Sequence, residues 1–176
     1  MTSQGFAAGL FRLHLGFALL FTLTACNWDT IAQNSLYPVE SVNKKAYPKE
    51  TPAGYEEFQV TFEQDAKKYL IHGYAKWHAD TGRPVVLFFH GNGSHVGSLA
   101  TGNFLAWLEQ FNSHVVVFDY PSYGRSQGYP TEASLVTSGQ VVLDWARART
   151  SGAPVVAIAH SLGTAVAIQS AKNNPD

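Results

Sequence analysis

The chain has 176 residues, 45% hydrophobic and 14% charged, which is enough to bury the core of one domain. Its formal net charge is -1 and no run of Lys or Arg forms a stripe, so the electrostatic footprint of a nucleic-acid binder is missing and no nucleic-acid partner is expected. Cysteine occurs once, which excludes an intrachain disulfide, and the seven histidines are scattered without metal-ligand spacing, so no metal or cofactor is expected.

At the N-terminus, Arg12 and His14 precede an uninterrupted apolar stretch at 15–25, LGFALLFTLTA. It is too short to span a bilayer core, which needs roughly 20 residues. It fits the apolar region of a secretory signal behind a positive n-region. It ends in Leu23-Thr24-Ala25-Cys26, which resembles the bacterial lipobox, a small-residue cleavage site set before a cysteine that becomes lipidated. That resemblance implies a lipoprotein signal peptide at 1–25, an acyl anchor on Cys26, a membrane as partner, and a place in the bacterial cell envelope. The competing reading makes Cys26 a buried structural cysteine in a hydrophobic anchor. Residues 26–54 contain Pro38, Pro48 and Pro52 and no sustained period, the composition of a tether or irregular segment leading to the domain.

The globular part is expected at 55–176. Residues 55–62 alternate as a strand and 68–77 follow after a polar break, which predicts a hairpin. The runs 84–89, 114–120 and 154–160 are continuously apolar, as parallel strands buried on both faces are. Between them, 99–111 places Phe104, Leu105, Leu108 and Phe111 at helical spacing. Residues 131–149 open with a Thr cap and Glu132, then carry Leu135, Val142, Trp145 and Ala146 on one stripe, until Gly152 and Pro154 end the pattern. The order β-β-β-α-β-α-β-α predicts an α/β sheet with an antiparallel start, then parallel strands with helices on both faces.

Ala159-His160-Ser161-Leu162-Gly163 sits where an apolar strand meets an apolar helix, which is the nucleophile-elbow pattern with Ala in place of the first Gly. A sharp turn there lifts the Ser161 hydroxyl above the sheet, and large side chains two positions away would strike neighbouring backbone. The turn also puts Ser161 at a helix N-terminus, where backbone N–H groups favour developing negative charge. The alternative is a Ser that merely caps a helix in a βα turn. His90-Gly91-Asn92-Gly93 follows the first buried strand, where acyl-transfer hydrolases take one N–H of an oxyanion hole; Asn92 is the candidate for that donor and Leu162 for the second. His90 and His160 are read as positional rather than as the base.

With the loop Asp119-Tyr120-Pro121-Ser122-Tyr123-Gly124-Arg125-Ser126-Gln127-Gly128, three motifs stand in order, and the chain resembles an α/β-hydrolase of the serine-aminopeptidase-like and depalmitoylase-like branch. The resemblance implies hydrolysis of an ester, thioester or amide of a small acyl substrate through an acyl-serine intermediate. The loop itself is read as structural. A rival layout, Gly91-x-Gly93-x-x-x-Gly97 with Asp119 about 20 residues on, approaches a dinucleotide site, but its spacing is off by one and it follows a third strand. In the α/β-hydrolase fold the chain order is nucleophile, acid, histidine. Residues 162–176 hold no His and no carboxylate but Asp176, so the domain is expected to be incomplete at the C-terminus. Either it is a piece of a longer hydrolase, inactive or nearly so as written, or a non-catalytic membrane-tethered module derived from one. Oligomeric state is left open.

Overall fold

The computed structural model describes residues 34–172. Cys26, the expected signal peptide at 1–25 and residues 26–33 of the expected tether lie outside the described residues. The chain divides into a unit Met1–Pro38 and a unit Val39–Asp176, and every strand and helix named below belongs to the second.

The expected hairpin forms from β1 (Glu56–Gln64) and β2 (Lys67–Lys76), antiparallel with Gln64 opposite Lys67. Its two loop residues, Asp65 and Ala66, both take positive φ, at 51° and 56°. A two-residue turn of that hand matches the twist of the strands it joins. β3 (Val85–Phe89) and β4 (His114–Phe118) are buried at every position, as their unbroken apolar composition demands. They run parallel, with Val85 opposite His114, while β2 runs antiparallel to β4. β5 (Val155–Ala159) pairs parallel to β3, giving the order β1-β2-β4-β3-β5. One expectation is corrected here. β5 is not covered on both faces: it has one neighbour in the described sheet, and Val156 is 49% exposed.

Alternation along the buried strands sorts the helices onto two faces. Val86, Phe88, Val115 and Val117 pack with Tyr74 against Val96, Leu105 and Leu108, from α2 (Val96–Ala100) and α3 (Phe104–Glu109). Phe89 points the other way, toward Gly139 and Ser170 of α4 (Glu132–Arg149) and α5 (Leu162–Lys172). α1 is the short Val39–Val42, preceding α2 in the chain.

The single helix expected at 99–111 is two helices. Thr101, Gly102 and Asn103 interrupt it, and Gly and Asn are poor helix formers. The second helix ends at Glu109, so Leu105 and Leu108 are buried on it while Phe111, in the turn beyond its end, stands 48% exposed. α4 begins where expected, and Thr131 forms a capping box with Ser134. Leu135, Val142 and Ala146 are buried, and the Trp145 ring stacks on Phe58 at 4.0 Å. Residues 39–54, expected within a tether or irregular segment, are irregular beyond α1 but pack on the domain: Val42 is buried and Tyr47 lies against Gly97.

Candidate active site

β3 and β5 end level, with Phe89 opposite Ala159, so the turns after them leave the same end of the sheet. Both carry candidate residues. Ser161 has φ 52°, a left-handed conformation that costs an L-residue roughly 1–2 kcal/mol. It stands on the two-residue bend, His160-Ser161, between β5 and α5, and it is exposed. The bend is held from both sides: His160 N–H donates to Phe89 O at 3.0 Å, Gly163 N–H to His160 O at 3.0 Å, and Thr164 N–H to Ser161 O at 2.9 Å.

The small residues around Ser161 have measurable causes. A Cβ on Gly163 would lie 2.2 Å from Phe89 O and 2.7 Å from His90 O, so α5 approaches the end of β3 more closely than any side chain permits. A Cβ on Gly91 would lie 2.7 Å from His160 Nδ1 and 3.3 Å from Ser161 Cβ. The loop of His90 to Gly93 therefore packs directly beside the serine. Asn92 follows in that loop, half-buried, and Leu162 is the first residue of α5, the end of a helix whose N–H groups point outward. Ser161, Asn92 and Leu162 thus belong to two adjoining turns at one sheet end.

His90 and His160 occupy different surroundings. The His90 ring is fully buried, its Nδ1 2.8 Å from Gly91 O and its face against Tyr120 at 4.2 Å. Burial pushes its pKa below the ordinary histidine value, partly opposed by the charge of Asp119. His160 is exposed and its ring lies over Gly91.

Asp119 organises the loop behind the site. It is fully buried; Oδ1 accepts from Val96 N–H at 2.7 Å, and Oδ2 accepts from Arg125 N–H at 3.2 Å and from the Tyr47 hydroxyl at 3.1 Å. Gly124 has φ 53° and leaves room for that carboxylate, since a Cβ there would lie 2.0 Å from Oδ2. Tyr120 OH donates to His90 O at 3.0 Å and buttresses the end of β3. An enclosed Asp119 cannot reach a ribose hydroxyl, which removes the dinucleotide layout.

Sequence reasoning did not single out four residues that join this core. His72 is buried between Glu57, which contacts its Nε2, and the Tyr47 hydroxyl, 3.0 Å from its Nδ1. Burial works against ionisation of Glu57, but hydrogen bonds from His72 and Arg125 hold its carboxyl below the usual range. Burial, then the charge of Asp119, pushes the Tyr47 phenol far above its ordinary value, so it stays a donor. Lys45 donates to Gly93 O. Positions 45, 47, 57 and 72 follow no common period, and no local signal links them.

The chain matches the family described as serine aminopeptidase, S33, over residues 80–176, more than half its length. It is 36% identical over 94 residues to the lysophosphatidylserine lipase ABHD12 of Rattus norvegicus, a match covering 52% of this chain and 24% of that protein. To protein ABHD12B of Homo sapiens it is 36% identical over 91 residues, covering 52% and 25%. The matched stretch is thus about a quarter of the length of these curated relatives. Among solved structures it is similar to a probable hydrolytic enzyme of Pseudomonas aeruginosa PAO1, with TM-score 0.55 and 18% identity over 74% of this chain and 42% of that one. It is also similar to a cold-adapted esterase from an Arctic intertidal metagenomic library, with TM-score 0.52 and 15% identity over 74% of this chain and 62% of that one. At such identities these two structures speak for the fold.

Proposed function

Because the chain belongs to the serine aminopeptidase S33 family of α/β-hydrolases, we propose that Ser161 is the nucleophile of an acyl hydrolase, acting on an ester, thioester or amide. The Ser161 oxygen attacks the acyl carbonyl, its proton passing to a base. The carbonyl oxygen takes the negative charge and is held by the backbone N–H groups of Asn92 and Leu162. Collapse expels the alcohol, thiol or amine with a proton from the same base, leaving an acyl-serine that water then cleaves. The observation that carries this reading is the positive φ of Ser161 on an exposed bend with Gly91 packed against it. A strained serine raised beside a glycine loop serves no evident packing purpose.

The base is not among residues 162–172, where α5 holds neither His nor carboxylate. The 176-residue chain by itself is therefore expected to turn over slowly, with only the oxyanion donors to help it. The second reading is a non-catalytic module derived from a hydrolase. A fluorophosphonate probe separates them: slow labelling lost in Ser161→Ala supports the hydrolase, and no Ser161-dependent labelling supports the module. Rapid labelling would mean that a base lies within these residues after all.

The lipobox resemblance supports a lipid anchor on Cys26 and a place at a bacterial membrane, which intact-mass measurement of the processed protein, with Cys26→Ala as control, tests directly. A membrane-held acyl hydrolase would meet lipid esters first. Lysophospholipids, the substrate class in the name of the ABHD12 relatives, head the substrates to be tried, ahead of S-acylated peptides.

A further inference from the structure

We propose that residues 43–47 form a strap that positions the loop carrying the oxyanion donor, with Lys45 and Tyr47 as positioning residues; this rests on the role assigned above to Asn92. The strap is fixed at its start by Asn43, whose Nδ2 donates to Ser122 O at 2.9 Å and whose Oδ1 accepts from Gly124 N–H at 2.8 Å. That amide ties it to the loop after β4. Two residues on, Lys45 Nζ donates to the carbonyl of Gly93, the residue next to Asn92. Two residues further, the Tyr47 ring stacks on His95 with centroids 5.1 Å apart and planes at 14°. It fills the space a side chain on Gly97 would need, where a Cβ would come within 2.3 Å of the ring.

The Tyr47 hydroxyl closes the arrangement. It donates to Asp119 Oδ2, and Asp119 Oδ1 in turn accepts from Val96 N–H. Residues 93–96 are therefore held at three points from outside the loop: the Gly93 carbonyl by Lys45, the His95 ring by Tyr47, and the Val96 amide by Asp119. Within the loop, Gly93 lies inside the bend closed by Ser94 N–H on Gly91 O at 3.2 Å, so its carbonyl is free to turn outward to Lys45. A glycine-flanked loop gains freedom from its glycines, and an oxyanion donor acts only when it is already in place. Lys45 suits the task because a cation gives its bond to a carbonyl more strength than a neutral donor would.

The test is hydrogen exchange on the 176-residue chain, comparing Lys45→Met, Lys45→Arg and Tyr47→Phe with the parent. The strap account expects the peptide covering 91–99 to exchange roughly fivefold faster in Lys45→Met and in Tyr47→Phe, the effect of losing one ordinary net hydrogen bond. β3 and β4 should keep their protection, and Lys45→Arg should restore the parent rate, which a general loss of stability would not do. Unchanged exchange at 91–99 in both Lys45→Met and Tyr47→Phe, or equal acceleration across the whole domain, overturns it. Lys45 is exposed, so its variants fold even if Tyr47→Phe does not. Fluorophosphonate labelling is read alongside. A lower maximal rate in Lys45→Met at an unchanged half-saturating concentration agrees with positioning. Absence of labelling in the parent counts against Ser161 and leaves the exchange result to decide the strap.

Discussion

Replacing Gly163 with Ala tests the close approach of α5 to β3 more sharply than any other single change. The added Cβ would sit 2.2 Å from Phe89 O and 2.6 Å from Phe89 C, both backbone atoms, so the two elements must part by about 0.8 Å even to reach 3.0 Å. Overpacking of this kind costs about 1–3 kcal/mol, offset by the better helix propensity of Ala, worth about 1 kcal/mol. The net expectation is a loss of up to about 2 kcal/mol in urea unfolding. The chemistry should suffer more, because the displaced bond is the one tying His160 to Phe89, next to the serine. A shift near 1 Å costs on the order of 100-fold in rate. Two other glycines calibrate the result. At Gly91 the nearest obstacle is the His160 ring, which is exposed and can turn aside, so Gly91→Ala should be milder; at Gly93 nothing lies within 4 Å, so Gly93→Ala should be near neutral in stability. If Gly163→Ala matches the parent in both stability and labelling, or if Gly93→Ala is the worst of the three, the packing account of the bend is wrong.

Asp119→Ala would leave the Val96 and Arg125 amides and the Tyr47 hydroxyl without their buried acceptor, and should cost at least about 3 kcal/mol in urea unfolding; a loss under about 1 kcal/mol would mean that water takes over the role. His90 is held neutral by burial, so its native pKa lies below the 6.5 of the unfolded chain. Its share of stability is therefore intact above about pH 6.5 and is lost as pH falls below that value, because the unfolded chain gains a proton that the native state refuses, at up to about 1.4 kcal/mol per pH unit. The midpoint of thermal unfolding should drop between pH 7 and pH 5, and less steeply in His90→Gln; equal slopes would contradict the assignment. In the hairpin, Ala66 sits at φ 56°, and Ala66→Gly should raise stability by about 0.5 kcal/mol by relieving that conformation, the glycine entropy cost taking back the rest.

Much of the fold was legible because the buried strands are nearly pure apolar runs. Val85–Phe89 and His114–Phe118 are read correctly from composition, since a strand covered on both faces tolerates little else. The hairpin was legible from alternation, although its turn residues, Asp and Ala, are weaker signals than Asn-Gly. The break between α2 and α3 was not, because the apolar positions that carry the helical spacing, Phe104, Leu105, Leu108 and Phe111, all lie after it and say nothing of residues 99–103. Periodicity reports a face and does not locate the ends of the helix that carries it. For the site, the elbow and the glycine loop declare themselves through small residues forced by backbone contact. The cluster of Lys45, Tyr47, Glu57 and His72 does not, since its members meet only through tertiary folding across β1, β2 and the segment before them.

The central claim is that residue 161 is the reactive serine, and mass mapping of the fluorophosphonate-treated protein addresses it directly. The peptide from Thr150 to Lys172 contains Ser151, Ser161 and Ser170, which fragment ions distinguish. The account predicts a slow adduct confined to Ser161 in the folded chain and absent after denaturation. An adduct on Ser151, Ser170 or any other serine in preference to Ser161, or equal labelling of folded and unfolded protein, would contradict it.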